Sequence, residues 1–160
     1  MAGSAIGMVR AAVLVAVATA HASDLAAPAV LQVIDGTRTP FTMADVVVVA
    51  DMGPAEVRWA GISPSRQRDE FHEIDLIWSC TRAAGTADAQ SVVNVRAAAL
   101  YAVFDAWLIT APNETLGISS STQTWSWLDQ PEMVEALDPE LLATGRNATL
   151  RARLHVRVRI

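Results

Sequence analysis

The feature that most constrains this chain is an alternation of apolar and polar residues through positions 148–160. Ala148, Leu150, Ala152, Leu154, Val156, Val158 and Ile160 share one parity, and Thr149, Arg151, Arg153, His155, Arg157 and Arg159 share the other. Successive side chains of a strand point to opposite faces, so this period predicts a β-strand with an aliphatic ridge on one side and an arginine row on the other. At about 3.3 Å per residue it would extend about 40 Å, well past the usual strand of about five or six residues. A strand of that length is expected to bend, carry a bulge or reach towards a neighbour. Guanidinium groups about 7 Å apart along one face repel by roughly 0.6 kcal/mol per pair in bulk water, so the row needs counter-charges.

Residues 66–82 supply them. Asp69, Phe71, Glu73, Asp75, Ile77 and Ser79 fall on one parity, and His72, Ile74, Leu76, Trp78 and Cys80 on the other. The two segments are therefore expected to be sheet neighbours, acids facing arginines on one side and apolar residues covering a core on the other. Paired carboxylates such as Asp69-Glu70, or Glu73 with Asp75, read as a salt-bridged strand face sooner than as acid-base machinery. A net charge of −5, with all 12 basic residues arginine and concentrated towards one end, argues against general nucleic-acid binding. The single cysteine, Cys80, can form no internal disulfide, and on the apolar parity it reads as a small buried hydrophobe.

At the N-terminus, the apolar run 11–20 follows Arg10, and Ala20-His21-Ala22 has the small-x-small pattern of a signal-peptidase site. The run is too short to span a bilayer. The same stretch reads as a helix with Ile6, Val9, Val13, Val17 and Ala20 on one face, ended by Asp24 and Pro28. The rest of the chain favours this helix, within 1–27.

Residues 30–35 predict a short strand closed by Asp35-Gly36, and the β-branched run Val46–Val49 predicts a strand buried on both faces. Pro40 sits in the loop between them, and 56–64 reads as irregular, with Trp59 anchoring it. From Thr86 or Asp88, either a possible cap, to about Thr110 the pattern is helical. Its stripe of Val92, Val95, Ala99, Val103 and Ala106, flanked by Leu100, Phe104 and Trp107, is expected to lie on the sheet. Pro112 and Gly117 close the segment. Residues 118–128 alternate, with Trp125 and Trp127 on one face and Thr124 and Ser126 on the other. The excursion 129–145 reads as one or two short helical turns, with Asp129 and Asp138 as caps, Pro131 and Pro139 at first-turn positions, and Gly145 as a stop. This order predicts an α+β fold in one domain, 1–160. Its sheet is largely antiparallel or mixed, of four to five strands, flanked by the N-terminal helix and the long central helix.

The histidines His21, His72 and His155 lie in different segments without a second ligand at metal spacing, and no GxSxG or phosphate-cradling loop is present. No catalytic, cofactor or metal site is expected.

Several segments together carry a family likeness: the alanine- and valine-rich start leading to Asp35-Gly36; Arg66-Gln67-Arg68-Asp69-Glu70-Phe71 opening a long strand with Trp78; Gly85, Asp88, Arg96 and Asp105 along a helix; Leu116-Gly117; and the closing arginine-studded strand. In this layout the chain resembles the tail terminator proteins of long-tailed phages of actinobacteria. The resemblance implies a small α/β sandwich in a hexameric ring at the head-proximal end of the tail. There it would stop tube polymerisation and dock the head completion or connector protein. The implied partners are further copies of itself, the tail tube protein and the connector, with no membrane and no specific nucleic acid. The longer excursion 129–145 and the polar stretch 119–124 depart from the pattern. Candidate subunit-contact residues are Asp69, Glu73, Asp75, Arg151, Arg153, Arg157 and Arg159. The alternatives are a neck or head completion protein of the same class, and a secreted β-rich binding protein beginning at Ser23 after export.

Overall fold

Two long strands form the spine of the molecule. In the computed structural model, β4 (Arg68–Ala83) and β7 (Gly145–Arg159) pair antiparallel along their whole length, from Asp69 opposite Arg159 to Ala83 opposite Gly145. The structure describes residues 5–26, 29–36, 42–59, 67–83, 88–118, 123–135 and 145–160. Strands this long outrun any one neighbour, so each free edge takes two partners in succession. Along β4 lie β2 (Asp45–Met52) and then β3 (Glu56–Trp59), both antiparallel, and β1 (Gln32–Asp35) adds to β2 in parallel. Along β7 lie β5 (Gln123–Leu128) and β6 (Glu132–Glu135), both antiparallel. The sheet thus has seven strands in the path β1-β2-β4-β7-β5, with β3 on β4 and β6 on β7.

The α+β class and the mixed sheet are as expected; the strand count is not. β3 occupies the start of the stretch read as irregular, and β6 lies where helical turns were expected. Both are four residues long, with too few side chains to show a period, and the unpaired backbone edges of β4 and β7 recruit them. Pro40, Pro64, Arg66, Gly85, Thr86, 119–122, Asp138 and Pro139 lie outside the described residues.

One face of the sheet carries the helices. α1 (Ile6–Ala20) buries Val9, Val13, Ala16 and Val17, close to the face expected, while Ile6 is exposed. A short α2 (Ala22–Leu25) follows. α3 (Ala89–Leu108) buries Ala89, Val93, Ala97, Leu100, Phe104 and Leu108. The expected stripe is therefore on the wrong side: Val92, Val95 and Val103 are exposed, and Ala99 and Ala106 with them. Both stripes are apolar, and the one with the larger side chains faces the sheet, where Phe104 packs at 6.2 Å from Trp78 and Tyr101 meets the same indole edge-on at 5.4 Å. Asp88 holds the N-cap position of α3 without a side-chain cap bond.

β2 is buried on both faces, as its valine run implied. Val47 and Val49 join the main core under the helices, and Val46 and Val48 form a second cluster with Ile34 and Ile77 on the opposite side. Gly36, at φ 78°, turns the chain out of β1 in a conformation other residues rarely adopt. At the start of β7, a Cβ on Gly145 would meet the Arg82 carbonyl oxygen at 2.8 Å, so only glycine fits.

Two polar clusters are built into the helix-side core. The Glu70 carboxylate, 1% exposed, accepts the Ala5 backbone N–H at 2.8 Å, placing negative charge at the N-terminus of α1, and pairs with Arg68 at 2.9 Å. His72 Nε2 stands 3.4 Å from the same carboxylate. Asp69 and Glu70, adjacent in sequence, thus face opposite sides of the sheet. At the other end, buried Asp45 accepts from Arg82 at 2.6 Å and from Arg96 at 2.9 Å, and Arg96 also reaches Asp24 at 2.8 Å. This network ties α2, β2, β4 and α3 together. Burial, aided by Asp45, pushes the nearby Cys80 thiol up to about 12, so the thiolate is suppressed.

Candidate functional site on the outer face of the sheet

Away from the helices, the outer face of β4 and β7 brings the candidate contact residues together. Alternation along each strand puts Asp69, Glu73 and Asp75 on that face opposite Arg159, His155 and Arg153. Asp69 is held between two arginines: Arg159 Nε donates to Oδ1 at 2.8 Å, and Arg157 Nε donates to Oδ2 at 3.1 Å. The hydrogen bond from Arg159, with help from Arg157 and against the cost of burial, keeps its carboxyl below the ordinary range. For Asp75, burial works against the charge, but hydrogen bonds from Arg151 and from Arg153, the latter at 3.0 Å, outweigh it and lower the carboxyl pKa. Glu73 accepts from Arg153 at 3.2 Å. The sequence pairing of an acidic with a basic strand is borne out within one chain.

That matching changes what the face offers to a neighbour. An arginine already bound to a carboxylate has little net charge left to present. What stands free is aromatic. β5 lies beside β7 with Trp125 opposite Arg157 and Trp127 opposite His155. Its Thr124 and Ser126 turn to the core, where Ser126 donates to the Glu114 carbonyl at 2.7 Å, and both tryptophans turn outward, 41% and 45% exposed.

The rings are organised by cations. Arg58 stands 5.0 Å over the Phe71 ring, Arg157 lies 5.6 Å from the same ring and 5.2 Å from Trp125, and these residues make a stacked row across four strands, β3, β4, β7 and β5. His155 stacks flat on Trp127, with 5.1 Å between centroids and 7° between planes, and is held by Asp129 at 2.8 Å from Nε2. A polar hollow of about 210 Å³, lined by Asp75, Asp129, Glu132, Arg151 and Arg153, lies alongside.

Reasoning from the sequence missed Trp125, Trp127, Phe71 and Asp129 as part of this surface. The signal was the shared parity of the tryptophans, but parity does not say which face is outside. Burying the Thr/Ser side in place of the Trp side reverses the usual rule, and only the position of β5 beside the arginine row explains it.

Among the described residues no group of three His, Cys, Asp or Glu side chains is placed to hold a metal ion. The chain matches no known protein family, and no curated protein is similar to it in sequence.

Proposed function

We propose that this protein is a structural ring subunit of a phage tail, a tail terminator. In this reading it assembles as a ring of about six copies at the head-proximal end, ends tube growth and docks the head completion or connector protein. The observation that carries the reading is the outer sheet face. Its charges are matched internally, and it exposes Trp125 and Trp127 within a frame of arginines. Tryptophan and arginine are the residues that dominate protein interfaces when they are packed against a partner. A closed ring repeats one heterologous contact at every subunit, so a modest aromatic patch acts once per copy. Asp69, Glu73, Asp75, Arg151, Arg153, Arg157 and Arg159 then form the hydrogen-bonding rim around the tryptophans.

The test is light scattering of the purified protein alongside negative-stain imaging. Rings of about six copies are expected, and Trp125→Ala combined with Trp127→Ala should abolish them while leaving the fold intact by circular dichroism. A particle that stays monomeric at high concentration, or rings indifferent to both substitutions, sinks the assignment.

A further inference from the structure

The opposite side of the molecule carries a second surface that the ring reading does not use. Within α3 the outward positions Ser91, Val92, Val95, Ala98, Ala99, Ala102, Val103 and Ala106 are exposed, and none is charged. Val95 is 66% exposed, and beyond the helix end Ile109 is 76% exposed. The helix's two charged residues, Arg96 and Asp105, are half-buried, and Arg96 is committed to Asp24 and Asp45. A helix lying on the surface of a soluble domain normally turns charged and polar residues to water; one that is apolar all round is normally covered on both sides.

We infer that the outer face of α3 is a self-association surface, covered by the same face of a second copy in an antiparallel two-fold pair. The inference does not rest on the ring reading, because the two contacts use opposite faces of the molecule. Two properties select a second copy. A two-fold contact sets each residue near the axis against itself, so a self-pairing surface must avoid unpaired charge there, and this one does. With the axis at Ala99, Val95 meets Val103 and Val92 meets Ala106, apolar against apolar, with Ser91 at the edge of the contact, and the alanine at the crossing lets the helix axes approach to about 8 Å.

The hollow of about 440 Å³ beside Val92, Val95 and Ala99, whose rim also carries Asp88, Ser91 and the paired Arg96, provides room for the copy's Val103 and Ala106. The area is also adequate. A helix of 20 residues is about 30 Å long and about 10 Å wide, and α1 touches it, with Val15, 64% exposed, close to Trp107. With α1 about 22 Å long, the two-helix face comes to about 520 Å² per copy, or about 1,050 Å² in all, just past the roughly 1,000 Å² that a specific interface needs.

Disulfide trapping tests the geometry directly, because the native Cys80 is buried and an added cysteine would be the reactive one. Ala99→Cys is expected to give a covalent dimer on non-reducing gels under mild oxidation. Val95→Glu, at a position open enough to leave the fold intact, is expected to halve the mass seen by light scattering in the Trp125→Ala/Trp127→Ala background, where the sheet contact is absent. An Ala99→Cys chain that stays uncrosslinked, or a mass unchanged by Val95→Glu, overturns the inference. So does a monomer that instead floats with phosphatidylcholine–phosphatidylglycerol vesicles, the outcome expected of a membrane-facing helix, since α3 is long and apolar enough to cross a bilayer.

Discussion

Asp45 shows how this fold uses charge where it has little water to offer. Its carboxylate is 3% exposed, and burial opposes the charge, yet hydrogen bonds from Arg82 and Arg96 hold it ionised and keep its pKa below the ordinary value. Replacing it by asparagine keeps the shape and leaves two half-buried guanidinium groups without their shared anion. Asp45→Asn should cost about 2–3 kcal/mol by urea denaturation, less than for a fully buried pair because both arginines keep some solvent. A loss indistinguishable from zero would mean that the arginines find other partners. His21 and His72 act in a different pH range. Both are almost wholly buried, and desolvation lowers the pKa of each below 6.5, against the opposing pull of Asp24 and Glu70 respectively. Below pH 6.5 the unfolded chain therefore binds protons that the folded chain refuses, so stability is full above that pH and falls as pH drops towards the lowered values. The carboxyls of Asp45, Asp69 and Asp75, also lowered, add a second loss as pH falls through about 4. Unfolding free energy measured against pH should decline in two stages, and a flat profile from pH 7 to pH 5 would remove the role assigned to the histidines.

At the scale of elements, β4 and β7 were readable because a strand has only two faces, and a charged row can occupy only the one not covered by helices. Their mutual pairing followed from the signs of those charges. The valine run of β2 was readable for a related reason, since an uninterrupted β-branched segment has no polar face to expose. α3 was readable as a helix but not in its orientation. Val92-Val95-Ala99-Val103-Ala106 and Val93-Ala97-Leu100-Phe104-Leu108 are both apolar stripes, and helical periodicity alone does not rank them. Volume does: the space above Trp78 needs Leu100 and Phe104, and alanine and valine there would leave it unfilled. β3 and β6 were illegible because the cause of each lies in the length of its neighbour and not in its own residues. The same holds for the outer surface, whose arginines and acids were visible in the sequence while its tryptophans depended on which edge β5 would join.

For the molecule as a whole, the decisive element is α1, since the helix-side core closes only if α1 is present. Val9, Val13 and Val17 are fully buried against a core that includes Leu31, Val47 and Val49, and Arg10 ties the helix to β1 and β2 through Asp35 and the Ala50 carbonyl. The Glu70 carboxylate depends on the same helix, because it accepts the Ala5 N–H at its start. A chain beginning at Ser23, as the secreted alternative requires, would lose all of this. Three valine side chains at roughly 1.5 kcal/mol each amount to about 5 kcal/mol, before any cost for the exposed core beneath. Domains of this size are stable by about 5–15 kcal/mol in total, so the loss approaches or exceeds what holds the fold together. The truncated chain is expected to bind a hydrophobic dye, lose its near-ultraviolet tryptophan dichroism and melt without a cooperative transition. Should it instead unfold as sharply as the full chain, the sheet and α3 would stand without α1, and the signal-peptide reading of the first 22 residues would displace the ring subunit as the better account of this protein.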